Sequence, residues 1–131
     1  MKHSKGVWAL AAMLVLNVVV AVLLTPLGFE SRPTTALTAV GYVAIGTVFV
    51  GLALDVASLV FLFRRARLAS GLAIIASLVF QFPNVVDRTG SFFSLPIPPV
   101  INVLEYVFIV VLLVTLFLAS AVYRASGPSP S

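Results

Sequence analysis

The sequence predicts an all-α integral membrane protein: four transmembrane helices in an up-down bundle, both termini cytoplasmic, as a single domain over residues 1–131. Three observations carry that expectation. Of the residues, 61% are hydrophobic and only 9% are charged, against roughly 45–50% and about 25% in a soluble domain. Mean hydropathy is +1.19, and a soluble chain of this size buries only about 60–70% of the surface it exposes unfolded. The solvent for that much apolar surface is lipid. Finally, the charges fall at the ends of apolar runs, where topology signals belong.

Each span follows from length. About 20 apolar residues rising 1.5 Å each cross a hydrocarbon core of roughly 30 Å. The first candidate is 7–27, VWALAAMLVLNVVVAVLLTPL, preceded by Lys2 and Lys5. Its apolar run is longer than the roughly 7–15 residues of a signal-peptide core, and no A-x-A site follows, so an uncleaved span is expected. The second, about 37–63, ends at Arg64, Arg65 and Arg67, and carries glycines at 41, 46 and 51. The third, about 68–86, is interrupted near its end by Pro83. The fourth, about 100–123, opens on Pro98 and Pro99 and closes with Tyr123 and Arg124. Proline is tolerated in the first turn, where its missing N–H has no helical partner anyway.

The connections differ in character. The RRAR link is short enough to make the second and third helices antiparallel neighbours. The segment 83–99, PNVVDRTGSFFSLPIPP, holds four prolines and is expected to be irregular. Phe92 and Phe93 suit either the headgroup level or a cap over the bundle end. Residues 125–131 read as a disordered tail.

Orientation comes from the cations. Lys2, Lys5, Arg64, Arg65, Arg67 and Arg124 fall on one side of a four-span arrangement, and Arg32 and Arg88 on the other, close to Glu30 and Asp87. The excess predicts a multi-pass protein of the cell membrane with N and C termini in the cytoplasm. The net charge of +4 and pI near 10.1 belong to this asymmetry, so no nucleic-acid partner is expected. With no cysteine and with His3 as the one histidine, thiolate metal sites, iron–sulfur clusters and thiol nucleophiles are excluded. Met13 is the one methionine inside a span, so haem ligation is not expected either. No cofactor and no metal are anticipated.

Polar residues inside the spans are the informative positions, because lipid offers them nothing to bond. They are Asn17, Asp55, Gln81, Asn102 and Glu105. Thr47, Gly51, Asp55 and Ser58 share one stripe of the second helix by 4, 4 and 3 spacing. Ala69, Ala73 and Ser77 make a similar small-residue stripe on the third, which predicts a close contact between the two helices with Asp55 at or beside it. Asn102 and Glu105 share a face with Ile109 and Leu112. Counted inward by helix rise from the cytoplasmic end, Asp55 lies roughly 13 Å deep, Asn17 roughly 18 Å, Gln81 roughly 21 Å and Glu105 roughly 28 Å. Asp55 and Glu105 are then too far apart for joint acid–base work, which needs about 5–10 Å.

Three functions fit these features. A staggered polar set suits a transporter or channel moving a small solute, ion or proton, more easily between copies of a homo-oligomer than within one chain. The lack of His, Cys and large loops suits a non-catalytic subunit or scaffold that binds a membrane-protein partner through its small-residue stripes. One buried acid beneath the 83–99 segment suits a receptor or enzyme for a sterol, quinone or lipid. Catalysis is the least expected of these roles.

Overall fold

A computed structural model describes residues 5–31, 35, 37–90, 92, 94 and 96–126. Within them the chain is all-helical. Helix α1 runs Lys5–Ser31, α2 Ala39–Phe61, α3 Ala66–Arg88 and α4 Pro99–Ser126. All four are long and apolar enough to cross a membrane, as expected of a multi-pass membrane protein. Large apolar side chains such as Val43, Phe49, Val60 and Phe117 point outward, each at least 60% exposed.

The helix ends have local causes. Thr38 caps α2: its Oγ1 accepts from the Gly41 N–H at 2.9 Å, satisfying one of the helix's orphan donors. The α2–α3 link closes tightly, with the Arg64 and Arg65 N–H groups both donating to the Phe61 carbonyl. Gly90, at φ 77°, lets the chain turn away after α3.

One expectation is corrected at α3. The helix does not yield at Pro83 but continues to Arg88, so residues 83–88 of the segment read as irregular are helical. Pro83 forfeits one backbone hydrogen bond, a loss that spans tolerate when neighbouring helices cover the site, and Pro83 is buried. The other end of the chain differs too. Ala125 and Ser126, assigned to a disordered tail, continue α4, and 127–131 lie outside the described residues. Lys2, His3, Arg32 and Phe93 also lie outside them.

The contacts form a ring in which α2 packs most extensively on α3, α3 on α4, α4 on α1, and α1 least on α2. Small residues let α2 and α3 approach. A Cβ on Gly51 would stand 2.8 Å from the Phe80 ring. Ala69, Ala73 and Ala76 are fully buried, and the Ser58 hydroxyl donates to the Ala69 carbonyl at 2.7 Å. At the end of the molecule marked by Arg67, Val7, Leu10, Leu14, Leu62, Ala119 and Val122 close with Ala69 and Ala73 of α3 into an apolar core. A second apolar cluster, Val20, Ala21, Phe80, Phe108 and Leu112, lies further toward the Arg88 end.

Candidate functional site

Cross-helix hydrogen bonds fix the levels at which the polar residues sit. Arg67 meets Tyr123 and Arg88 meets Asn102, a register in which Thr115 falls opposite residue 75. Ser58 on Ala69 sets Asp55 opposite residue 72. Asn17 donates through Nδ2 to Thr115 Oγ1 at 2.9 Å, and Thr115 donates on to the Val111 carbonyl at 2.7 Å. Asn17, Asp55, Ser77 and Thr115 therefore lie within about five positions, roughly 8 Å along the axis, in the middle of the bundle, all at most 2% exposed. The pairings set Asp55 about three positions, roughly 4.5 Å along the axis, from the Asn17–Thr115 bond, in keeping with the depths counted from the helix ends.

Asp55 is 1% exposed, and neither carboxylate oxygen has a hydrogen-bond donor among the described residues. The Ser77 hydroxyl and the Asn17 Oδ1 likewise lack partners there. Ser58 and Gly51, on Asp55's stripe, are buried as the spacing predicts. Thr47 is half-buried, and its hydroxyl bonds within its own helix, to the Ala44 carbonyl at 2.6 Å. Ala69, Ala73 and Ser77 are buried, and Ala69 meets Ser58 of α2, so these stripes are occupied inside the chain.

A second polar group lies at the Arg88 end, around a cavity of about 80 Å³. Asn84 and Asp87 from α3 and Glu105 from α4 are its buried polar wall, with Thr25 from α1. The remainder is apolar: Ala21, Leu24, Ile45, Val48, Phe49, Pro83, Ile101 and Phe108, with Phe92 from the α3–α4 connection. Phe92 is tied down because its carbonyl accepts from the Thr38 N–H at 3.1 Å and from the Thr38 hydroxyl at 3.3 Å. Phe92 thus stands in the cavity wall. Phe80 and Phe108, edge to face with centroids 5.1 Å apart, separate this space from the Asp55 layer.

Arg88 organises the polar wall from outside. It donates to Asn102 Oδ1, stands 3.6 Å from Glu105 Oε1, and lies over the Tyr106 ring at 4.4 Å. Asn102 is thus half-buried and serves Arg88, while the buried face of α4 is Ile101, Glu105, Phe108, Leu112 and Thr115, with Ile109 at its edge. Gln81 is half-buried, off the buried stripe of α3. The separation of Asp55 from Glu105 stands: thirteen positions of register, roughly 20 Å along the axis.

Asn84, Asp87 and Thr115 escaped the sequence reading. Ala73, Ser77, Phe80, Asn84 and Asp87 continue one stripe at 4, 3, 4 and 3 spacing, which Pro83 concealed. Thr115 repeats the face of Glu105, Phe108 and Leu112 by the same spacing. Among the described residues no three His, Cys, Asp or Glu side chains converge as a metal site requires. No known protein family, curated protein or solved structure matches this chain.

Proposed function

We propose that this chain holds a small amphiphilic molecule in the cavity at the Arg88 end. The cavity itself carries the reading. Apolar walls with a few polar groups gathered in one region are the usual make-up of a small-molecule site. The proposal includes an up-down bundle in the cell membrane with cytoplasmic termini. The pairings of Asn17 with Thr115, Ser58 with Ala69 and Arg67 with Tyr123 support the up-down course, and the lysine and arginine excess supports the orientation. The cavity then opens in the outer leaflet. The thin α1–α2 contact, where Leu24 faces Val48 and Phe49 in the wall, offers lipid-soluble molecules a way in from the side.

Mass spectrometry of the full chain, released intact from mild detergent, tests this. One lipid-soluble adduct per chain is expected, lost in Val48→Phe, which fills the cavity. A chain that carries no adduct, even after equilibration with a membrane lipid extract, overturns the reading.

Transport is the second reading, and Asp55 favours it: a carboxylate without a donor among the described residues suits a mid-membrane station for a proton or cation. The apolar core at the Arg67 end leaves little room for a path within one chain, so this reading calls for a homo-oligomer. Asp55→Asn should then abolish flux in proteoliposomes, and unchanged flux sinks it. A scaffold role has less behind it, because the small-residue stripes already serve the α2–α3 contact.

A further inference from the structure

Resting on that cavity reading, we infer that the cavity takes the head of a hydroxyl-bearing amphiphile, its hydrocarbon tail leaving between α1 and α2 into the bilayer. Size sets the first limit. At about 80 Å³ the space is roughly half the 150 Å³ cavity that admits benzene in an engineered protein. It holds a head group and its first carbons, and the remainder of the ligand has to lie outside. The thinnest helix contact in the ring, α1 against α2, gives that exit.

Hydrogen bonding sets the second limit. Asn84 is 4% exposed and lines the cavity, yet its amide Nδ2 has no acceptor among the described residues. A buried donor left unmade is costly, and a ligand acceptor satisfies it. Across the same wall stand the Asp87 and Glu105 carboxylates, whose oxygens each accept more than one bond. The complementary group therefore accepts from an amide and donates to a carboxylate.

Few chemical groups do both. An ammonium donates but has no lone pair for Asn84. An ether or ester accepts but has no proton for Glu105. A carboxylate or phosphate head would face two acids, while Arg88 does not line the cavity and is already engaged by Glu105 at 3.6 Å, Asn102 and Tyr106. A neutral hydroxyl fits both partners.

The test uses the full chain in lipid nanodiscs with hexadecanol carrying a diazirine near its hydroxyl, and peptide mapping after irradiation. Labelling is expected on cavity walls such as Ile101 and Phe108, displaced by plain hexadecanol and about tenfold less well by its methyl ether, which has lost the donor. Asn84→Ala should weaken labelling about tenfold; the methyl ether asks the same question of the unaltered protein, should that variant fail to fold. If a hexadecane diazirine labels the walls equally, or hexadecylamine displaces better than hexadecanol, the hydroxyl assignment falls while the pocket stands. If neither diazirine reaches the walls, both readings fall.

Discussion

Both ends of the α3–α4 contact use the same device, an arginine laid over a tyrosine. Arg67 lies 4.1 Å from the centre of the Tyr123 ring and donates to its hydroxyl at 3.0 Å. Arg88 lies 4.4 Å from the centre of the Tyr106 ring. What lies inward of each differs. Behind Arg67 the helices close on alanine, leucine and valine, and the buried hydroxyls of Ser58 and Ser70 are already bonded to backbone carbonyls. Behind Arg88 come Glu105, Asp87 and Asn84 around a cavity. An arginine–tyrosine pair anchors a helix end either way, and the residues one turn further in decide whether that end is sealed or receptive.

The largest expected effect comes from removing the partition between the two regions. Phe80→Ala should cost about 3–5 kcal/mol and join the cavity to the Asp55 layer; unfolding in mixed micelles measures the loss, and a cost under 1 kcal/mol would mean the rings are no partition. Next, Asp55→Ala should stabilise the chain by about 2–3 kcal/mol in the same assay, since it relieves a buried acid that lacks donors among the described residues. Destabilisation instead would reveal a partner for that carboxylate. Gly41→Ala should cost about 1–3 kcal/mol, because its methyl would overlap the Phe92 carbonyl oxygen; the damage should appear as faster hydrogen exchange confined to the Arg88 end. Smallest is Asn17→Leu, about 0.6 kcal/mol for one hydrogen bond between spans. A penalty several times larger would mean that the middle layer is coupled as a network.

The sequence made the helices legible because lipid imposes a length on any apolar run that crosses it. It also located Asp55 correctly on an inward stripe, since glycine, serine and threonine at helical spacing leave little doubt about which face meets a neighbour. The cavity was not legible because 83–99 was expected to be irregular, whereas buried packing lets α3 continue through Pro83 to Arg88. Asn84 and Asp87 fell in that segment, Asp87 noted only as the acid close to Arg88, and neither was placed on the stripe of Ala73, Ser77 and Phe80. Thr115 was invisible differently. Its hydroxyl satisfies itself on its own helix, so composition gives no sign that it also receives Asn17.

Thr38 shows how tightly two distant stretches are bound. Its hydroxyl starts α2 by accepting from Gly41 and holds the far connection by donating to Phe92. Change at this position is felt twice. Thr38→Ser preserves both bonds, while Thr38→Ala removes both, and Gly41 beside it can gain no side chain without striking the same carbonyl. The first turn of α2 and the α3–α4 connection are thus coupled through a single side chain, and a substitution at either is felt at both.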